Sequence, residues 1–230
     1  MAQRLILFLK APVPGQTKTR LTPIYSPIEA TQFYICFVRD ILQQLAKIPI
    51  EIYYFYLPPL ETLLKTFSIP PEFCFLQSEG DLGRKMSHAF EQLFRQSSDP
   101  VLIIGTDSPG LSSEWLQMAF KWLEQKNMVL GPTFDGGYYL LGMSAFYPAV
   151  FRQISWSSSH VFSQTLKKIQ QSNHSLSVLP PFYDVDTPSD LRFLYTYLLA
   201  CEREGRNLAP ETLCLLKSDA FQERLQASQS

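Results

Sequence analysis

The chain has 230 residues, of which 46% are hydrophobic and 18% charged, and a formal net charge of −1. That length and apolar content support one sizeable core and exclude wholesale disorder. The near-zero charge argues against a general binder of nucleic acid or anionic membrane, which carries a basic excess, although a single basic loop can still hold a small anion.

In chain order, the first element is Leu5–Leu9 (LILFL), a continuous apolar run of the kind buried on both faces of a parallel sheet. It is too short to cross a bilayer, no longer run follows, and no small-residue cleavage site comes after it. A cytoplasmic protein with no membrane span is expected. Ser26-Pro27-Ile28-Glu29 reads as a capping box with proline at the first helical position. It opens a helix to about Ala46, with Phe33, Phe37, Ile41 and Leu45 on one stripe. Ile50–Leu57, rich in β-branched and aromatic residues, is expected as a strand. A short helix at Leu60–Phe67 and a strand at Phe73–Gln77 follow. Gly80–Gly83 turns into a helix reaching about Arg95, Val101–Gly105 is a short buried strand, and Ser112 caps a helix to about Gln125. Strands are expected at Met128–Gly131 and Gly137–Met143, a helix at Ser159–Gln171, a strand at Leu176–Pro180, and a helix from Pro188 to Glu204. One more helix and a polar end follow Pro210.

This order predicts an α/β fold, a three-layer α/β/α sandwich whose mostly parallel sheet carries an antiparallel insertion after Gly131. One domain is expected, residues 1–205, with 206–230 as its helical extension. Cys36, Cys74, Cys201 and Cys214 form no CxxC pair and read as reduced, mostly buried thiols. His88, His160 and His174 lack metal-site spacing.

Open α/β sheets bind ligands outside the carboxyl ends of their strands, and the unusual polar motifs lie there. In GTDSPG (Gly105–Gly110), Asp107 follows the most apolar strand; it either points into the crevice or caps a local Asx-type turn. In YDVDTPSDL (Tyr183–Leu191), Thr187, Pro188 and Asp190 are explained by a capping box. Asp184 and Asp186 ahead of it are not, and they point to opposite sides if the segment is extended. Mg²⁺ or Mn²⁺ is held by one or two carboxylates plus substrate phosphates and waters; Asp107 and Asp186 are the candidate pair. In FDGGYYLLG (Phe134–Gly142), Asp135-Gly136-Gly137 is a hairpin turn or a place where backbone meets ligand closely. Gly80 and Asp81 open a helix, Asp81 as an N-cap or a nucleotide contact. The serines of WSSSHV (Trp156–Val161) read as caps, and Trp156 as core or a stacking surface.

The loop KAPVPGQTKTRL (Lys10–Leu21) is not a Walker loop, because Thr17 and Pro12 stand where that motif needs glycine. Its prolines lack N–H groups, which shifts any phosphate contact from backbone amides to Lys18 and Arg20.

Together, the motifs KAPVPGQTKTRL, GDLG, GTDSPG, FDGGYYLLG, WSSS and DVDTPSDL resemble those of the bacterial selenodomain-associated transferases, glycosyltransferase-like proteins of GT-A fold, over roughly residues 4–200. More distantly the chain is similar to 2-phospholactate guanylyltransferase, molybdenum-cofactor guanylyltransferase and the sugar-acid cytidylyltransferases. The resemblance implies a nucleotide-diphospho-sugar transferase fold whose first loop contacts the nucleotide phosphates, here through Gly15, Lys18 and Arg20. It implies metal ligands at Asp107 and, from the DTPEDL segment of the cytidylyltransferases, at Asp186. Ser189 replaces that segment's glutamate, and the glycine-rich GGxSxRxGxxK loop is absent, so no base selectivity carries over.

The expected function is therefore a metal-dependent transferase moving a group, most simply a sugar, from a nucleotide or nucleotide-sugar donor to a small acceptor. Lys18 and Arg20 would offset charge on the leaving phosphate, and Asp135 would touch the sugar or acceptor or act as general base. Pro14, Gly15, Lys18, Arg20, Gly80, Asp81, Thr106, Asp107, Gly136 and Gly137 are the nucleotide-binding candidates. The alternatives are nucleotidyl transfer with release of pyrophosphate and a non-catalytic nucleotide-binding domain. A homodimer is compatible with all three readings.

Overall fold

The computed structural model of the protein describes residues 2–219, Phe221 and Arg224. Among them, seven strands form one sheet: β1 (Arg4–Lys10), β2 (Glu51–Leu57), β3 (Cys74–Leu76), β4 (Val101–Ile104), β5 (Met128–Pro132), β6 (Tyr138–Met143) and β7 (Leu176–Val178). Their order in space is β3-β2-β1-β4-β6-β5-β7. All run parallel except β6, which is antiparallel to both neighbours, β4 and β5. The expected antiparallel piece thus sits inside the sheet rather than at its edge.

The helices are α1 (Pro27–Leu45), α2 (Leu60–Phe67), α3 (Leu82–Phe94), α4 (Ser113–Leu123), α5 (Val161–Gln171), α6 (Pro188–Arg203) and α7 (Pro210–Lys217). Strand side chains alternate between two cores, as a period of two requires. Leu5, Leu7, Leu9, Leu102 and Ile104 meet Val38 of α1, Leu63 of α2 and Phe120 of α4. On the other face Ile6, Val101 and Ile103 meet Phe90 and Leu93 of α3 and Ile169 of α5. Each such buried side chain contributes about 1.5–3 kcal/mol. This is the three-layer α/β/α sandwich that the alternation of elements predicts. A third apolar cluster joins α1, α6 and α7 through Phe33, Phe37, Leu194, Leu198 and Leu213.

Element boundaries follow local chemistry. The Ser26 hydroxyl accepts from the Glu29 N–H at 3.3 Å, and the Ser26 N–H donates to the Glu29 carboxylate at 2.8 Å. Ser112 stands at the N-cap of α4, but its side chain makes no capping bond. The four cysteines are free, as expected, but only Cys201 is buried. Cys214 is exposed because α7 turns Leu213 and Leu216 inward and leaves position 214 outside. Among the described residues no helix is long and apolar enough to cross a membrane. Most of the polar end expected after α7 lies outside the described residues.

From β1 the chain steps outward to β2 and β3, then returns to the other side of β1 for β4. The crevice at the carboxyl ends of β1 and β4 is the switch point at which such sheets bind ligands.

Candidate active site at the switch point

A cleft of about 490 Å³ opens there. Its walls include Lys10, Thr17 and Lys18 from the end of β1 and its loop, Thr106–Ser108 after β4, Lys85 on α3, and Asp184 ahead of α6. The loop after β1 is anchored from α1. The Tyr34 hydroxyl accepts from the Lys10 N–H at 2.7 Å and donates to the Lys10 carbonyl at 3.0 Å. The buried Thr17 and Thr31 hydroxyls pair at 3.1 Å. Gly15 takes a positive φ of 80°, which glycine accepts without strain.

Lys18 is the residue on which the site converges. Its backbone is left-handed (φ 49°, ψ 40°) ahead of a single 3-10 turn, Thr19–Leu21. Only 3% of its side chain is exposed. Nζ donates to Asp107 Oδ1, to the Val185 carbonyl at 2.7 Å and to Asp186 Oδ1 at 3.3 Å, which uses all three ammonium donors. The Phe37 ring centroid lies 5.3 Å from Nζ, a cation–π distance. Arg20 is 73% exposed at the rim, with Nη1 3.3 Å from Asp186 Oδ2.

The two acid-bearing loops are stitched together. The Val185 N–H donates to the Asp107 carbonyl at 2.8 Å, and the Ser108 hydroxyl donates to Asp184 Oδ1 at 2.7 Å. Asp190 closes the expected capping box of α6, accepting from the N–H groups of Thr187 at 2.7 Å and Asp186 at 3.1 Å. The Asp186 backbone is thereby satisfied and its carboxylate left for Lys18 and Arg20.

Charge follows from this geometry. Burial pushes the Asp107 carboxyl up, but the adjacent Lys18 ammonium outweighs it and holds the pKa below the ordinary value. Burial likewise pulls Lys18 down, and Asp107 and Asp186 more than reverse that. At Asp184 burial wins: together with the Asp107 charge it pushes the carboxyl up to about 7.

The site thus gathers Lys18, Asp107 and Asp186, with Thr106 in the cleft wall and Arg20 at the rim. Other sequence candidates lie outside the residues that line the cleft. Pro14 and Gly15 are exposed on the loop ahead of Lys18. Asp81 caps α3, accepting from the Arg84 N–H at 2.8 Å, and it and Gly80 are not among the residues lining the cleft. Asp135 Oδ1 accepts from the Thr133 hydroxyl and from the Gly137 N–H at 3.1 Å, the local turn left open by the sequence. A Cβ on Gly136 (φ 90°) would lie 2.0 Å from the Ser159 carbonyl oxygen. The close approach that glycine permits is therefore made by the Ser157–His160 loop. Trp156 packs against Gly83 and the α3-side core. Lys10 and Lys85 line the cleft although no motif singles them out, and Asp184, one of the two acids that the capping box leaves unexplained, lines it as well. The available signals were Lys10 closing β1, Lys85 in the first turn after GDLG, and an acid two residues before Asp186.

Two carboxylates, one of them held ionised, suit Mg²⁺ or Mn²⁺ completed by waters and substrate phosphates. The residues present fit such an ion. They make no self-sufficient metal cage: among the described residues no group of three or more His, Cys, Asp or Glu side chains could hold one.

A family model described as an uncharacterised protein conserved in bacteria (DUF2064) matches residues 41–158, just over half of the chain. The chain belongs to the DUF2064 family. A solved protein from Desulfovibrio desulfuricans G20, described as a proposed nucleotide-diphospho-sugar transferase, is 31% identical to this DUF2064 chain. The match covers 99% of this chain and 98% of that one, with a TM-score of 0.89. The inositol-1-phosphate CTP transferase of T. maritima shares the fold at 14% identity and TM-score 0.56, covering 90% of this chain and 98% of its own. So does Rv0371C of Mycobacterium tuberculosis H37Rv, solved in complex with manganese, at 13% identity and TM-score 0.50, over 84% and 98%. The DUF2064 chain thus has the nucleotide-diphospho-sugar transferase fold. No curated protein matches it.

Proposed function

We propose that the protein is a transferase that binds a nucleotide-activated donor and a divalent cation in the switch-point cleft and passes the donor's sugar to a small acceptor. The observation that carries this reading is the cluster of Lys18, Asp107 and Asp186 at the one crevice where sheets of this topology bind ligands. The motif resemblance to the selenodomain-associated transferases supports it, as does the likeness to the Desulfovibrio protein.

Asp107 and Asp186 would hold the cation, which would supply positive charge to the diphosphate leaving group. The chain's own residues would do the rest. Lys10 and Lys85 line the cleft and form no ion pair among the described residues, so their charge is free to meet phosphate oxygens, with Arg20 at the rim. Both acids accept a hydroxyl, Asp184 from Ser108 and Asp135 from Thr133, but Asp184 lines the cleft and Asp135 does not. Asp184 is therefore the better placed carboxylate to accept a proton from an acceptor hydroxyl, and Asp135 would contact the acceptor or sugar at the rim.

Nucleotidyl transfer is the second reading, favoured by the shared fold of the T. maritima CTP transferase. Product analysis separates the two. Incubated with Mn²⁺, small acceptors, nucleotide sugars and nucleoside triphosphates, the protein should release a nucleoside diphosphate under the first reading and pyrophosphate under the second. Binding without either product would leave only a nucleotide-binding domain.

A further inference from the structure

The two carboxylates that suit a divalent ion are already bridged by a cation. Lys18 Nζ bonds to Asp107 Oδ1 and Asp186 Oδ1 and is fixed from a third side by the Val185 carbonyl. Its side chain is 3% exposed, while Asp107 is 49% and Asp186 39% exposed. Both acid side chains therefore keep part of their surface exposed, while the ammonium that joins them is enclosed. An ammonium and a divalent ion cannot share the same carboxylate oxygens without strong repulsion. If both left, Asp107 and Asp186 would face each other with only the exposed Arg20 beside Asp186 as counter-charge.

We propose that Lys18 is a built-in counter-cation that competes with the divalent ion for Asp107 and Asp186, so that the ion enters only as Lys18 withdraws. Lys18 also lines the cleft beside Lys10 and Asp184, and turning its side chain into that space gives it a destination. An anion in the cleft stabilises the withdrawn ammonium, so anion and metal binding favour one another. This inference rests on the metal site of the function proposed above but not on any nucleotide or reaction.

The test is Mn²⁺ binding to the full chain without nucleotide, read from the electron paramagnetic resonance signal of free Mn²⁺. Lys18→Met should bind one Mn²⁺ about tenfold or more tighter than the wild type. Lys10→Met is the control: the Lys10 charge is felt at Asp107 but does not occupy the carboxylates, so its removal should change Mn²⁺ affinity by no more than about threefold. A Lys18→Met protein that binds no tighter than Lys10→Met, or that binds no Mn²⁺, overturns the proposal. A second measurement needs no variant. Acetylation of wild-type lysines, followed by mass spectrometry, should find Lys18 protected in chelator and labelled about tenfold faster in millimolar Mn²⁺, with Lys85 unchanged. Equal Lys18 labelling in the two conditions also overturns it. Failure of nucleotides to bind, with Lys18→Met still gaining Mn²⁺ affinity, would count against the transferase reading alone.

Discussion

Single residues carry more of this protein's behaviour than its near-neutral composition suggests. Arg4, at the start of β1, is buried and donates to the carbonyls of Leu93 at 2.7 Å, Ser97 at 3.0 Å and Asp99. It satisfies the end of α3 and the turn beyond it, and burial lowers its own pKa. Arg4→Met should cost about 2–3 kcal/mol in chemical denaturation, because it leaves buried carbonyls without donors; a cost below half of that would show water replacing the guanidinium. Asp184 has a pH signature. Its folded-state pKa of about 7 lies above its unfolded value, so the folded chain favours the protonated form. Its contribution is therefore most favourable at low pH and declines as pH rises from about 4 through about 7. In metal-free buffer, Asp184→Asn should raise the melting temperature near pH 8 and leave it almost unchanged near pH 5, since asparagine keeps an acceptor for Ser108 and carries no charge. Parallel pH curves for the two proteins would remove the burial effect assigned to Asp184. Part of this chemistry is visible in the sequence. Asp107 and Asp186 stand out as acids at strand ends, but that one lysine bridges both depends on a left-handed turn at Lys18, which no pattern of residue types announces.

At the scale of elements, α7 is held by a contact across the fold. Asp40, buried in α1, accepts from the N–H groups of Glu211 and Thr212, both at 2.8 Å, and so caps the first turn of α7. Burial pushes its carboxyl up to about 6. Asp40→Ala should cost about 1–2 kcal/mol and speed amide hydrogen exchange in α7 well before the sheet responds. Uniform acceleration across sheet and helix would instead mean that α7 opens only with the whole chain. The strands and helices themselves were legible, because apolar runs, capping boxes at Ser26 and Thr187, and helical prolines are local signals. The place of β6 was not. Its sequence marks a hairpin with β5, whereas its antiparallel pairing with β4 is a long-range choice made by packing. The close approach at Gly136 was hidden for a similar reason, since the backbone it meets is that of Ser159, distant in sequence.

For the whole molecule, the sheet order decides where chemistry can occur. By sending β2 and β3 to one side of β1 and β4 to the other, the fold leaves a crevice onto which the β1 and β4 loops, α3, β6 and the segment before α6 all open. Motifs spread from Lys10 to Asp186 thus become neighbours, which is why a set of loops, each explicable as an ordinary turn, was informative only when taken together. Under the proposed function, this crevice takes a nucleotide diphosphate through a metal held at Asp107. Calorimetric titration of nucleoside diphosphates in Mn²⁺, with the wild type and Asp107→Asn side by side, tests it most directly. The wild type should bind at least one of them, and Asp107→Asn should weaken that binding by about tenfold or more while circular dichroism shows it folded. A wild type that binds none of them, or a folded Asp107→Asn that binds as tightly as the wild type, would contradict it.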